Sequence, residues 1–166
     1  MRLKDKVAVI TGGGSGIGRA MVLLFAAEGA KVVAGEWKPE SLDEVVAAVK
    51  KEKGEITGVR GNVAVRAEAE ALVDTAVKTY GKLDIVCNCA GVMDMNQGVG
   101  EVEDETWERL ITINLNGPMF VSRRAIKVML PQKSGSIINI SSMAGIGGGP
   151  GYRQAQWVWQ GGLPSP

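Results

Sequence analysis

The chain contains no histidine, only two cysteines, and no lysine after Lys133. Without histidine a Ser-His-Asp hydrolase mechanism is excluded, because that mechanism needs an imidazole base. Cys87 and Cys89 stand two positions apart in an apolar stretch, where a disulfide between them is geometrically poor and zinc would lack further ligands. We therefore interpret both cysteines as small buried side chains and predict no metal site.

Strong charge and long apolar runs are also absent. The formal net charge of the 166 residues is +1, which gives no indication of nucleic acid or an anionic membrane as a partner. The sequence has no apolar run of about eighteen residues, and the charged start from Met1 to Lys6 does not fit a signal peptide. These features predict a cytoplasmic globular protein that binds neither nucleic acid nor a membrane.

Glycine, by contrast, is concentrated in the stretch Thr11-Gly12-Gly13-Gly14-Ser15-Gly16-Ile17-Gly18. The apolar run Val7–Ile10 leads into it, and a predicted helix from Arg19 to Glu28 follows it. Glycines let backbone N–H groups approach an anion closely, and a helix N-terminus carries partial positive charge. A strand, a glycine turn and a helix start in this order therefore predict a phosphate-binding turn.

The rest of the chain alternates between predicted strands and helices. The predicted strands are 7–10, 31–34, 56–59, 83–87 and 136–141, and the predicted helices are 19–28, 41–54, 67–80 and 105–129. Ser41 is the predicted N-cap of the second helix, with Glu44 completing a capping box, and Pro118 is expected to bend the last helix. Strict alternation predicts an α/β fold with a doubly wound parallel sheet, a Rossmann fold truncated after its fifth strand.

The second strand ends in Gly35-Glu36, eighteen residues after Gly18. In a dinucleotide-binding fold, a carboxylate at this point hydrogen-bonds the adenosine ribose and repels a 2′-phosphate. Trp37 follows, and no arginine stands there to receive such a phosphate. The pattern predicts NAD rather than NADP as the cofactor, and the alternative is that Glu36 is a solvated charge at a strand end.

Five motifs follow one another over about 150 residues. They are the turn Thr11–Gly18, Asn62-Val63, Asn88-Cys89-Ala90-Gly91, Ile113-Asn114-Leu115, and Ile138-Asn139-Ile140-Ser141-Ser142. In content and order they resemble the motifs of the short-chain dehydrogenase/reductase family. Two positions depart from the family pattern, because Asn62 stands where aspartate is usual and Cys89 replaces the second asparagine of its NNAG motif. The second change would remove a hydrogen bond worth about 1 kcal/mol.

The resemblance implies an oxidoreductase that moves hydride between NAD and an alcohol or carbonyl carbon of a small-molecule substrate. It implies that Ser142 polarises the substrate oxygen and that Asn114 organises a proton-relay water. It also implies that the cofactor is held by Gly12, Gly14, Ser15, Gly16, Ile17, Gly18, Glu36, Trp37, Asn62, Val63, Asn88, Ala90 and Gly91.

The resemblance weakens near residue 150. The family places a tyrosine thirteen residues after the serine and a lysine four residues beyond it, but this sequence has Ala155 and Trp159 there. Tyr152 is the nearby alternative proton donor. We therefore divide the chain into an NAD-binding domain over residues 1–150 and an irregular, non-family tail over 151–166, for which a shifted reading frame or an alternative end would account.

Three functions remain open from the sequence: an active NAD-dependent dehydrogenase, an NAD-binding half-fold without turnover, and a non-functional fragment. The missing tyrosine and lysine count against activity, because a tyrosine hydroxyl with a pKa of about 10 needs a nearby cation to ionise at neutral pH. The apolar fifth strand, with Ile137, Ile138 and Ile140, is expected to have an open outer edge. We therefore expect self-association through that edge, or marginal stability of the monomer.

Overall fold

Five strands alternate with five α-helices in residues 1–93 and 100–142, which a computed structural model describes. The strands are β1 (Val7–Thr11), β2 (Lys31–Glu36), β3 (Ile56–Arg60), β4 (Ile85–Asn88) and β5 (Ser136–Asn139). The helices are α1 (Gly16–Ala27), α2 (Pro39–Lys51), α3 (Arg66–Tyr80), α4 (Asp104–Ile111) and α5 (Gly117–Gln132). None of the helices in these ranges is long and apolar enough to cross a membrane.

The five strands form one parallel sheet in the order β3-β2-β1-β4-β5. Thr11 at the end of β1 is in register with Gly35 on one side and with Asn88 on the other, and Asn88 is in register with Asn139. The predicted doubly wound α/β sheet is confirmed. The chain changes direction across the sheet between β1 and β4, which is where open α/β sheets bind ligands.

Apolar layers cover the two faces of the sheet. Val7 and Val9 of β1 belong to the layer under α3 and α5, whereas Ile10 belongs to the layer under α1 and α2. All of β1 is buried, which explains why its sequence is an unbroken apolar run rather than an alternating one. The buried central strands therefore give the turn that follows β1 a rigid support.

The second helix begins two residues before the predicted N-cap. It starts at Pro39 with Lys38 as its N-cap residue, so the prediction that Ser41 caps it is wrong. Proline is well suited to the first helical position, since its fixed φ matches the helix and its missing N–H is not needed there. The backbone N–H groups of Trp37 and Lys38 donate instead to the Glu36 carboxylate, which lies outside the helix.

The long helix predicted over 105–129 is interrupted. α4 passes into a π-helical turn, Thr112–Asn116, before α5 begins, and α5 continues to Gln132. Pro118 explains the interruption, because proline cannot donate to the carbonyl four residues earlier and its ring crowds that carbonyl. That carbonyl belongs to Asn114, so the widened turn lies at a predicted site residue.

Two side chains hold the N-terminal end of β4. The Gln132 amide pairs with both backbone groups of Leu83, accepting from its N–H at 3.2 Å and donating to its C=O at 2.7 Å. The Asp84 carboxylate accepts from Val7 N–H at 2.9 Å and pairs with Lys82 at 2.9 Å. Burial alone raises the pKa of Asp84, but these partners outweigh it and hold that pKa below its usual value.

Candidate functional site

The turn between β1 and α1 has little room for side chains. A Cβ added to Gly12, whose φ is +65°, would lie 2.9 Å from the Ala90 backbone, and one added to Gly18 would overlap the Gly12 carbonyl oxygen. Gly16 also has a positive φ, +50°, but faces open space. Ser15, the N-cap residue, makes no side-chain hydrogen bond to the helix end in the described residues, so the α1 N-terminus is open to an anion.

Glu36 lies against this turn. Its carboxylate accepts hydrogen bonds from the N–H groups of Gly14 at 3.1 Å, Trp37 at 3.0 Å and Lys38 at 3.1 Å. The residue is only 6% exposed, which rules out the alternative that it is a solvated strand-end charge. The structure thus brings together Gly14 and Glu36, two of the residues that the family resemblance assigns to the cofactor site.

Trp37 forms an exposed rim beside Glu36. Its side chain is 62% exposed, and the Lys38 ammonium lies 5.6 Å from the centroid of its ring. A cation at this distance from an aromatic face is weakly attracted to it. The end of β2 therefore carries a buried anion, an exposed aromatic surface and a cation in three consecutive residues.

The end of β3 adjoins the same region. Gly61 N–H donates to the Glu36 carbonyl oxygen at 3.0 Å, and Asn62 Oδ1 accepts from Ala64 N–H at 3.0 Å in a local turn. Asn62 is exposed, whereas the Val63 side chain is buried in the core against Gly117. Asn62 therefore lies at the surface, whereas Val63 offers a ligand only its backbone.

Thr11 joins the glycine turn to the segment that follows β4. Its hydroxyl oxygen accepts hydrogen bonds from the N–H groups of both Cys89 and Ala90, each at 3.1 Å. Thr11 is buried, and the Ala90 backbone also lies against Gly12. The position of Cys89 and Ala90 is consequently fixed by the end of β1.

Asn114, in the π-helical turn, contacts the same segment after β4. Its Oδ1 accepts from Val92 N–H at 2.8 Å, and its Nδ2 donates to the Val92 carbonyl oxygen at 2.9 Å. A Cβ on Gly91 would lie 3.1 Å from the same Oδ1. Asn114 thus pairs with the segment that follows β4 and holds that segment against the π-helical turn.

A cleft of about 460 Å³ lies between the ends of β4 and β5 and the start of α5. Four predicted site residues, Asn88, Ala90, Gly91 and Asn114, line it, and so does Ser141, the neighbour of the predicted Ser142. Ser142 itself is half-buried immediately after Ser141. The remaining lining residues are Cys89, Val92, Met93, Leu115, Pro118, Met119, Ser122, Asn139 and Ile140.

Asn88 forms the floor of this cleft. It is 3% exposed, and its Nδ2 donates to Asn139 Oδ1 at 2.8 Å and to Ser122 Oγ at 3.2 Å. Its Oδ1 has no hydrogen-bond partner among the described residues. The amide therefore ties β4 to β5 and to α5, and its role within the protein is to hold the floor together.

Cys89 does not leave a gap where the family has asparagine. Its Sγ contacts Met21 Sδ at 3.4 Å on the apolar side of the sheet. Burial raises the pKa of the Cys87 thiol to about 12 and that of Cys89 to about 11, so both are neutral thiols at physiological pH. The interpretation of the two cysteines as small packing side chains fits these surroundings.

Sequence reasoning missed three residues that hold the site together: Thr11, Ser122 and Asn139. Thr11 and Asn139 are polar residues at the ends of apolar strands, and such positions meet at one sheet edge once the strand order is known. Ser122 had no comparable signal, because its contact with Asn88 joins residues 34 positions apart. Tyr152 lies outside the described residues.

The chain is similar to known proteins over most of its length. A family profile described as short chain dehydrogenase matches residues 6–154. The chain belongs to the short-chain dehydrogenase family. A 3-oxoacyl-acyl-carrier-protein reductase, FabG, from Thermotoga maritima is 39% identical over 151 residues, which are 91% of this chain and 61% of that protein. A 3beta-hydroxysteroid dehydrogenase 2 from Eggerthella lenta is 39% identical over 154 residues, covering 90% and 58% of the two chains.

Solved structures of other proteins show the same fold. An NAD+-bound xylitol dehydrogenase superposes with a TM-score of 0.91 and 29% sequence identity, over 98% of this chain and 62% of that one. A levodione reductase gives a TM-score of 0.90 at 31% identity, over 96% and 63%. The chain spans about 60% of the length of the curated relatives named above.

Proposed function

We propose that this short-chain dehydrogenase chain binds NAD along the ends of β1, β2 and β4. The observation that supports this proposal is the contact between Gly14 in the glycine turn and the buried Glu36 carboxylate at the end of β2, because in a dinucleotide-binding fold an acid at this point hydrogen-bonds the adenosine ribose. The α1 N-terminus after the glycine turn supports a pyrophosphate position there, because the Ser15 side chain makes no hydrogen bond to this helix end in the described residues.

The proposed reaction is hydride transfer between an alcohol or carbonyl substrate and the nicotinamide. The cofactor supplies the hydride chemistry when it is bound. In the chain itself, Asn114 fixes the wall of the cleft through Val92, and Ser142 stands one residue beyond the cleft-lining Ser141. Ser142 is the proposed donor to the substrate oxygen, and Tyr152 is the nearby candidate for proton transfer.

The second candidate is an NAD-binding chain without turnover. It is favoured by Ala155 and Trp159, which occupy the positions where the family pattern has tyrosine and lysine. Without that pair, the cation that lowers the pKa of a catalytic tyrosine is not supplied at its usual place. NAD binding would then persist, because Gly14 and Glu36 do not depend on those positions.

Calorimetric titration with NAD, paired with an assay of NADH formation on a panel of alcohols, separates the candidates. Binding with turnover supports the dehydrogenase, binding without turnover supports the second candidate, and no binding contradicts both. Glu36→Ala is the matched variant for the site, and Glu44→Ala, an exposed acid on α2, is its control. We expect weaker NAD binding by at least tenfold in the first variant only.

We further propose that this chain associates with itself through β5. Within the described residues β5 is an outer strand of the sheet, and Ile138 and Ile140 are 38% and 42% exposed. An outer strand with exposed apolar side chains and unpaired backbone groups is a template for pairing with another chain.

A further inference from the structure

The cleft between β4, β5 and α5 has an uncharged lining in the part of the chain that the structure describes. None of the described residues that line it is an aspartate, a glutamate, a lysine or an arginine. Burial raises the pKa of the Cys89 thiol, which also lines the cleft, to about 11, so this group is neutral at physiological pH. A carboxylate or phosphate that entered would lose water without gaining a counter-ion from this lining, which is unfavourable.

Large apolar side chains form one wall of the cleft. Met93 lies in the segment after β4, Leu115 in the π-helical turn and Met119 on α5, and they are 59%, 49% and 43% exposed. A ligand that covers such side chains removes apolar surface from water, and methionine side chains adapt their shape to what they cover. Arg109 of α4 does not line the cleft, but its guanidinium donates to the Met93 carbonyl oxygen at 3.3 Å.

Polar lining groups, by contrast, are concentrated at the ends of the strands. Asn88 and Asn139 end β4 and β5 in register, and their amides are hydrogen-bonded at 2.8 Å. Ser141 follows β5 and lines the same cleft. The cleft volume of about 460 Å³ lies in the range of small-molecule sites. These surroundings suit a small ligand that has one polar end and an apolar body.

We infer that the cleft selects an uncharged ketone or secondary alcohol with an apolar body, and that Met93 and Met119 are specificity-determining residues. The inference rests on the proposed dehydrogenase function and names the class of its substrate. The oxygen of the substrate lies towards the strand ends, where Ser142 is the proposed donor, and its body covers Met93, Leu115 and Met119. A substrate whose body bears a carboxylate or a phosphate is rejected, because the wall supplies no cation.

The first test compares three cyclohexanones that bear an isopropyl, a carboxamide or a carboxylate group opposite the carbonyl. The three groups have similar shapes, and the carboxamide separates the effect of charge from that of polarity. Each ketone is titrated in the presence of NAD, with which it cannot react because both compounds are oxidised. The isopropyl ketone is expected to bind about tenfold more tightly than the carboxylate, and the carboxamide is expected to lie between them.

Isotope-labelled methionine methyl groups report where the ketone binds, whether or not turnover follows. The NMR signals of Met93 and Met119 are expected to shift during the titration. Met1, on the N-terminal segment, and Met129, at the other end of α5, lie outside the cleft and serve as internal references. Met129 also borders a separate apolar groove beside β5, so its signal detects binding at that groove instead.

A charge placed on the wall provides the second test. Met119→Lys is expected to tighten binding of the carboxylate ketone about threefold and to weaken that of the isopropyl ketone, because the new ammonium is a counter-ion for the first and replaces apolar surface for the second. Ile126→Lys is the matched control, since Ile126 lies on the same helix outside the cleft and is 45% exposed against 43% for Met119. It is expected to change neither affinity. Met93→Lys places the charge on the segment after β4 and serves if Met119→Lys fails to fold.

The outcomes distinguish this inference from the proposed function. If the wild-type protein binds no NAD in calorimetric titration, the proposed function is refuted. If it binds NAD but no ketone shifts the Met93 and Met119 signals, the NAD site stands and the substrate class is refuted. Equal affinity for the isopropyl and carboxylate ketones, a shift of Met129 in place of Met119, or equal effects of Met119→Lys and Ile126→Lys also overturns the inference.

Discussion

The side-chain amide of Asn114 forms a two-bond pair with the backbone of Val92, much as a neighbouring strand would. Oδ1 accepts from the Val92 N–H at 2.8 Å and Nδ2 donates to its C=O at 2.9 Å. Asn114 lies in the π-helical turn and Val92 in the segment after β4. The pair therefore connects the π-helical turn to the segment after β4, two parts of the chain with no backbone hydrogen-bond ladder between them. It fixes one wall of the cleft.

Asn114→Ala is expected to destabilise the protein by about 1–3 kcal/mol, because two partly buried backbone groups lose their partner. Urea unfolding measures the change, and hydrogen exchange of the Val92 amide should quicken at the same time. Asn116→Ala, in the same π-helical turn, is the matched control and should stay within about 0.5 kcal/mol of wild type. Equal effects from both variants would show that the turn itself, and not the pair, is being measured.

Asp84 should make the stability depend on acid pH. Its pKa is lowered in the folded protein, so its contribution is fully present above its unfolded pKa of about 4 and is lost as pH falls through the lower folded value. Asp84→Asn is expected to cost about 1–2 kcal/mol at pH 7 and much less near pH 2.5. Urea unfolding across this pH range measures the difference. A constant difference at all pH values would contradict the role of the charge.

The two cysteines should be slow to react in the folded protein. With pKa values of about 12 for Cys87 and about 11 for Cys89, the reactive thiolate is scarce at pH 8. Alkylation by iodoacetamide should be at least about 100-fold slower than that of a free cysteine. In guanidinium chloride both thiols should react at the ordinary rate. Rapid labelling of the folded chain would mean that Cys89 is not held against Met21.

Gly14→Ala should weaken NAD binding and destabilise the fold by about 1–3 kcal/mol, because the new Cβ would press on Glu36 and Ser41. Gly100→Ala is the control, since a Cβ there meets open space. Thermal unfolding and NAD titration measure the two effects. A neutral Gly14→Ala would indicate that the turn, the acid and α2 can separate without cost.

Ile138→Lys should reduce self-association of this chain. A lysine on an outer strand opposes strand pairing, because its charge must stay in water. Sedimentation velocity over a range of concentrations measures the change, and Leu24→Lys, at a 52% exposed position on α1, is the matched control. A wild-type protein that sediments as a monomer and unfolds cooperatively at high temperature would refute the proposed pairing.

The sheet and its order of elements could be predicted because apolar runs and glycine turns are local signals. β1 is continuous and buried on both faces, and its sequence shows this directly. The start of α2 could not be predicted in the same way. Ser41 has the right chemistry for a cap, but Pro39 and the Glu36 carboxylate act together to start the helix earlier.

The candidate site likewise has one contact that the sequence predicts and one that it does not. Gly14 and Glu36 follow from a known spacing, and the structure places them in contact. The pairing of Asn88 with Asn139, by contrast, joins residues 51 positions apart. It depends on strand register, which no short pattern specifies.

Asn114 and Gln132 have a joint mechanical consequence. The Asn114 amide forms a two-bond pair with Val92 after β4, and the Gln132 amide forms such a pair with Leu83 before it. If α5 slid by one turn, about 5.4 Å, both pairs would break together, so we expect the helix and the strand to move together. We therefore expect the frame of the cleft to keep its width, and exposed lining side chains such as Met119 to move more freely than the frame.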